Sequence, residues 1–460
     1  MIEATITGAI TIQCAAPLKH QVLRQAMAEN TFANPDYLDA VKTGRSPLMV
    51  PKAITTYQQM PGSIIFPRGY GHRLFAMAAS MKAAITWTDN RVLVPAAYPG
   101  AILGIDLREY QIRAIDAALV GTQGMIVSPT GSGKTLTALE LIRRRSQRAV
   151  ILVHSQLLAD QWRQVVRQRL GIVAGLIGGG VWSVGREITI AMMQTLIARP
   201  VDARAFGELI GLVVVDECHH APAGTFSEVI GMFPGQYRYG FTATPQRGDG
   251  LELVISRLLG NVVATVLPGE VQHVGGIVPA RVDVVDTGCL FAQVDPQKKN
   301  AWTDLVSAMV ADRHRTQGIA RLAVEKSRTR QTLVMTERVE HAIALADLIP
   351  GSLLVHGKLP AKERQKRMAQ LATARVVVGT KGLLGEGLDC SVWSCLILAS
   401  PMSGATPLLQ AVGRVIRPAP GKKDGLVVDV VDAHPFALGA FKKRATVYRQ
   451  RQWPICKVAA

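Results

Sequence analysis

From about Arg108 to Val431 the apolar positions fall in short β-branched runs, separated by amphipathic stretches. The runs are Met125 to Ser128, Ala149 to His154, Ile188 to Met192, Leu212 to Asp216 and Tyr237 to Thr242. They continue with Thr332 to Thr336, Leu353 to Val355, Arg375 to Gly379, Cys395 to Ser400 and Gly425 to Val430. Their hydrophobicity is continuous, which predicts strands buried on both faces, and the stretches between them predict helices covering parallel sheets. Between Gly260 and Lys299 the pattern is broken by Pro268, Gly275, Gly276, Pro279, Gly288 and Pro296. A linker between two α/β lobes is expected there, centred near 285 to 298. The first hundred residues differ. A β-rich opening from Ile2 to Cys14 and a helix from Pro17 lead into turns at Asn34-Pro35, Pro61-Gly62 and Pro67-Arg68-Gly69, which predicts a small α/β accessory domain.

Composition narrows the class. Of 460 residues 48% are hydrophobic and 19% charged, so disorder as the main state is excluded. No run reaches the length of a bilayer-spanning helix, and Met1 to Cys14 lacks a basic segment followed by an apolar core. The expectation is a soluble cytoplasmic protein with no membrane partner. Lys and Arg total 52 against 34 Asp and Glu, a formal charge of +18, which concentrates polyanions at the surface and points to nucleic acid. The six cysteines are scattered without a CxxC pair, and His219-His220 has no companion ligands at metal spacing, so zinc is rejected. From Phe441 the chain carries Lys442, Lys443, Arg444, Arg449, Arg451 and Lys457 with Tyr448 and Trp453 and no acid. This basic tail suits a backbone groove or a solvated helical face equally.

Chemistry concentrates in Ser128-Pro129-Thr130-Gly131-Ser132-Gly133-Lys134-Thr135, between a predicted strand and a helical pattern. Ser128 replaces the first glycine of the strict phosphate-binding loop. Gly131 and Gly133 still let backbone N–H groups curl around a phosphate with Ser132 between them. Lys134 reaches the β- and γ-phosphates of ATP, and Thr135 ligates Mg²⁺. Downstream, Leu212 to Val215 ends in Asp216-Glu217. Asp216 suits an oxygen ligand for nucleotide-bound Mg²⁺ on a rigid strand end, and Glu217 suits the group that orients or deprotonates the attacking water.

These blocks, with Thr242-Ala243-Thr244-Pro245, Val378 to Asp389 and Gln410 to Pro418, occur in order. Together they resemble a superfamily 2 helicase of the DExH type, here Asp216-Glu217-Cys218-His219. The resemblance implies two tandem RecA-like parallel-sheet lobes, at 101–285 and 299–440, after an accessory domain at 1–100 and before a tail at 441–460. It makes Arg417 the arginine finger and Arg414 its γ-phosphate companion. The two lie three residues apart on a predicted helix and so on one face, and they complete the ATP site when the lobes close. Gln111, in Leu107 to Gln111, is implied to read the adenine edge, although this segment also reads as an ordinary helix start. Gly387 and Asp389 are implied to contact the ribose or transmit closure. The strand-tracking contacts implied are His154 and Ser155 with Gln161, then Gln194 and Thr195, Thr336 with Glu337, and Thr380 with Lys381. Trp162 reads either as a base-stacking residue or as core.

Within the superfamily the chain is most similar to UvsW-type, XPB-type and restriction-motor DNA helicases, on its compact lobes, its extra N-terminal domain and Tyr237 to Arg247, while Phe66 to Tyr70 resembles more weakly a turn of some mobile-element and phage helicases. The implied function is an ATP-dependent, Mg²⁺-requiring DNA helicase or branch-migration translocase of 3′ to 5′ polarity, acting as a monomer on single-stranded, forked or branched DNA. The alternatives are an RNA helicase and an ATP-gated nucleic-acid-binding switch that does no processive work. The accessory domain reads either as a junction-holding element or as a cover for an apolar face of the first lobe.

Overall fold

In the computed structural model the described residues are all except Met1, 15–19, 43–45, Pro47, 219–222, 244–251, Lys299, 385–389 and 459–460, with the side chains of Lys42, Ala223 and Ala361 also set aside. The chain divides into two compact units. One comprises Met1–Pro129 with Gly133–Leu267, the other Thr130–Ser132 with Pro268–Ala460. Among the described residues no helix is long and apolar enough to cross a membrane.

The first unit is built on an eight-stranded sheet in the order Val181–Ser183, Gly175–Gly178, Ile188–Met192, Ala149–Val153, Leu212–Val215, Tyr237–Thr242, Gln123–Val127, Val262–Thr265. Every neighbouring pair is parallel except the first. The apolar runs predict the five central strands, of which Ala149–Val153 and Leu212–Val215 have no exposed position; the edge strands Val181–Ser183 and Val262–Thr265, exposed at both ends, gave no such run. Parallel pairing brings the carboxyl ends of Gln123–Val127, Ala149–Val153, Ile188–Met192 and Leu212–Val215 to one edge of the sheet, where the candidate residues follow them.

The first hundred residues add an antiparallel-rich sheet, Gln58–Met60, Ser63–Pro67, Ala9–Gln13, Ile2–Ile6 and Ile85–Asp89, with its own core of Ile10, Ile12, Ile64, Phe66 and Leu74. They belong to the same compact unit as the sheet that follows. Two buried arginines join them. Arg238, 1% exposed, donates to the carbonyl oxygens of Gly8, Ile230, Phe233 and Leu258. Arg68 donates to those of Thr7, Gly235 and Gln236 and to the Gln123 carboxamide.

The second unit has a seven-stranded sheet, wholly parallel, in the order Leu353–Val355, Val376–Thr380, Thr332–Thr336, Cys395–Leu398, Gly425–Ala433, Ala280–Leu290, Ile455–Val458. Two expectations are corrected by it. The expected linker near 285 to 298 overlaps Ala280–Leu290, an 11-residue strand, and the division falls at Leu267/Pro268 instead. Gly288 breaks the sequence pattern without breaking the strand, because its left-handed φ of 68° sits in an irregular register between Asp286 and Leu290. The basic tail is not a tail. Pro435–Gln450 is a helix and Ile455–Val458 a strand. Arg444 is buried against Asp429 at 2.8 Å, with the Tyr448 hydroxyl donating to the same carboxylate at 2.8 Å. A second buried pair, Arg315 with Asp432 at 2.9 Å, lies in the same unit.

Candidate functional site

The Gln123–Val127 strand ends at Ser128, and the chain turns through Gly131 and Gly133, with φ of 86° and 80°, into the helix Lys134–Arg145. Both values lie in the left-handed region that favours glycine. At Gly133 space reinforces the choice, because a Cβ there would collide with the Gln111 carboxamide. Gln111 is held at both ends. Its Oε1 accepts the Arg108 backbone N–H at 2.8 Å, and its Nε2 donates to the Gly133 carbonyl at 3.4 Å. It therefore closes the start of the helix Glu109–Val120 and ties it to the loop.

Lys134 reaches back across the turn. Its ammonium lies 3.2 Å from Glu217 Oε1 and 3.4 Å from the Ser128 carbonyl. Thr135, half-buried, follows it in the first helical turn. Asp216 and Glu217 leave the Leu212–Val215 strand together. The Trp162 indole N–H, from the helix Gln156–Leu170, donates to Asp216 Oδ2 at 2.8 Å. Trp162 is 3% exposed, so of its two readings the core one holds, with a polar duty attached. Burial and then the neighbouring Glu217 carboxylate push Asp216 up to about 6, against the pull of Trp162, Lys134 and His154. Glu217 itself has a φ of 46°. The structure brings Lys134, Glu217 and Asp216 together beside the glycine turn, while the tie from Trp162 had no sequence signal beyond an aromatic on a helix.

At the same sheet edge, His154 and Ser155 follow Ala149–Val153, and Gln194 and Thr195 open the helix Met193–Ala198 after the adjacent strand Ile188–Met192. Gln194 Nε2 donates to the His154 carbonyl at 3.1 Å, so the two loops are fastened together. Ser155 caps its helix through the Leu158 N–H at 3.4 Å.

In the second unit Thr380 ends its strand and Lys381 follows it, 3.9 Å from Glu337. Thr336 is enclosed. Its hydroxyl is 2.9 Å from His341 Nδ1 and 2.8 Å from Ser400 Oγ, and the residue is 1% exposed. Its hydroxyl braces the strand end from inside. Arg414 lies on the helix Ala405–Val415, but the helix stops before Arg417, so the expected shared helical face does not exist. Gly387, Asp389, His219, His220, Thr244 and Pro245 lie outside the described residues.

Comparison with known proteins matches this arrangement. The family described as type III restriction enzyme, res subunit, matches residues 104–247, and the helicase conserved C-terminal domain matches residues 315–419. The chain is 36% identical over 159 residues to the DNA 3′-5′ translocase XPB2 of Sulfurisphaera tokodaii, covering 35% of each chain. It is 23% identical over 333 residues to the phage T5 protein named "Probable helicase D10", covering 70% of this chain and 71% of that one. A fragment described as an HsdR subunit of a type I restriction enzyme from Vibrio vulnificus YJ016 shares the fold, with a TM-score of 0.59 at 21% identity over 92% of this chain and 81% of that one. The chain thus spans about a third of the length of the first relative and 71% of the second. With its two parallel-sheet α/β units of RecA-like type and both helicase domains in order, the chain belongs to the superfamily 2 helicases.

Proposed function

We propose that the protein is an ATP-dependent DNA translocase or helicase of 3′ to 5′ polarity, acting on single-stranded, forked or branched DNA. The observation that carries the reading is the convergence of Lys134, Glu217 and the Trp162-anchored Asp216 beside the glycine turn. These residues fit a nucleoside triphosphate with Mg²⁺. Gly131, Gly133 and Lys134 would hold phosphates, Thr135 and Asp216 would hold the metal, and the metal would neutralise charge developing on the transferred phosphoryl group. A phosphate drawn to Lys134 competes with Glu217 for the ammonium and frees that carboxylate to orient a water. Arg414 and Arg417 keep their proposed roles toward the γ-phosphate, and Gln111 toward the base. The DNA assignment is supported by the translocase name of the XPB2 relative and by the +18 charge. Backbone contacts are assigned to the Gln194-tied loop at His154 and Ser155, to Thr195, and to Thr380 and Lys381.

The test is steady-state ATP hydrolysis with single-stranded DNA, duplex DNA, forks, four-way junctions and RNA. Stimulation by DNA above RNA, greatest on a fork or junction, is expected. Equal stimulation by RNA overturns the DNA assignment, and ATP hydrolysis without any strand displacement or translocation favours an ATP-gated clamp instead.

A further inference from the structure

The sheet of the second unit carries its candidate residues at the carboxyl ends of its strands. At its amino edge, Gln331, Arg375, Ser394 and Asp424 directly precede the strands beginning at Thr332, Val376, Cys395 and Gly425, and they border a cavity of about 640 Å³. Among the described residues, four cations line it, Arg330, Arg375, Lys422 and Lys423, against a single carboxylate, Asp424. That carboxylate is already committed twice, to Arg330 at 2.7 Å and to Arg281 at 3.4 Å. Among the described residues of the cavity wall, Arg375, Lys422 and Lys423 therefore have no acid left to them.

Lys422 shows the imbalance most clearly. Its ammonium donates to the Ser391 carbonyl oxygen at 2.9 Å and to that of Trp393. An ammonium has three donors, so one remains for a ligand. Burial first, and then Arg417 and Arg330, bring it down to about 8. A lysine partly withdrawn from water among other cations is electrostatically unfavourable, and a bound anion reverses that. The cavity is within the size range of small-molecule sites. Its four cations, from three stretches of chain, outnumber the one guanidinium that a bidentate contact to a single phosphate uses.

We propose that this cavity binds a polyphosphate anion, meaning two or more linked phosphates presented either by free polyphosphate or by a nucleic-acid backbone. The wall segment 419–424 follows Arg417 almost directly along the chain, so an occupant bears on the segment next to a proposed γ-phosphate contact. The binding claim does not rest on the helicase reading.

The experiment titrates the full chain with sodium tripolyphosphate by calorimetry, with its nucleotide site saturated by a non-hydrolysable ATP analogue and Mg²⁺. One equivalent is expected to bind. Arg375→Glu with Lys423→Glu, both exposed positions, should weaken it tenfold or more. Arg313→Glu with Arg321→Glu, exposed on another helix, makes the same change of net charge and should leave it unaltered. A second arm measures the salt dependence of duplex-DNA binding. A slope of log affinity against log salt that flattens by about 1.8 in the cavity variant, roughly 0.9 per lost phosphate contact, identifies the DNA backbone as the source. An unchanged slope with lost tripolyphosphate binding identifies free polyphosphate. No binding by the wild-type chain, or equal loss in both double variants, overturns the proposal. Should the cavity double variant misfold, Lys423→Ser alone is expected to weaken binding severalfold, and unaltered binding then overturns it.

Discussion

Trp162 and Asp216 are 54 positions apart, on a covering helix and at a strand end, and they meet through an indole N–H to carboxylate hydrogen bond of 2.8 Å. The bond fixes one carboxylate oxygen and opposes the burial that favours the protonated acid. Trp162→Phe keeps most of the packing and removes the donor. A hydrogen bond to a charged group contributes about 1.5–3 kcal/mol. The variant is expected to need roughly tenfold more Mg²⁺ for half-maximal ATP hydrolysis, and the acid limb of its pH-rate profile should move to higher pH. Unchanged Mg²⁺ dependence would assign Trp162 to packing alone.

The Lys134–Glu217 contact separates two losses of activity. Lys134→Ala should abolish ATP turnover while leaving nucleic-acid binding largely intact, because the loops assigned to strands lie elsewhere. Glu217→Gln should bind ATP and lose hydrolysis by about 10²–10⁴-fold, the range for a general base. Nucleotide-binding and single-turnover assays on the two variants read the difference, and hydrolysis by Glu217→Gln at the wild-type rate would remove the water-activating role.

His341 gives the second unit a pH dependence of known sign. Burial, and then Arg315, lower it from 6.5 to about 3, while its Nδ1 meets the Thr336 hydroxyl. Between pH 6.5 and about 3 the unfolded chain binds the proton and the folded one does not, so stability falls as pH falls through that window and is unaffected above it. One titrating group accounts for at most about 1.4 kcal/mol per pH unit. Denaturant melts should show a shallower acid limb in His341→Gln than in the wild type, and parallel limbs would show that the histidine is protonated in place.

Deleting residues 1–100 is expected to damage the first unit. The cut removes Gly8, whose carbonyl accepts from Arg238, and Arg68, whose donors serve Gly235 and Gln236. Buried groups left without partners cost about 1–3 kcal/mol each. A truncation with lowered thermal midpoint and poor solubility is the expected product. One with the wild-type midpoint and intact DNA-stimulated ATPase, but impaired on forks, would restore the junction-holding reading.

Continuous apolar runs such as Ala149–Val153 and Leu212–Val215 made the parallel sheets legible, since only strands covered on both faces can be so uniformly apolar. The phosphate loop and acidic pair were legible because glycine, lysine and carboxylate positions there are dictated by chemistry at fixed spacing. Ala280–Leu290 was hidden by glycine and by the charges at Asp283 and Asp286, which composition alone reads as loop. The Arg444–Asp429–Tyr448 cluster was hidden for the opposite reason. A basic, acid-free segment looks solvated until the carboxylate that neutralises it, 15 positions upstream, is placed beside it by the fold.

Glu217, the second of the two carboxylates after Val215, sits in a left-handed backbone conformation, one that glycine or asparagine adopts more readily than a long carboxylate side chain. Local conformational preference and the chemistry assigned to this position therefore pull toward different amino acids. A substitution to glycine would relax the main chain at this position while deleting the acid and the partner of Lys134, so the relief of local strain would come with loss of the proposed hydrolytic role. The turn after Val215 is thus a point where selection for thermostability and selection for turnover oppose each other, and screens that enrich for the first should lose the second there.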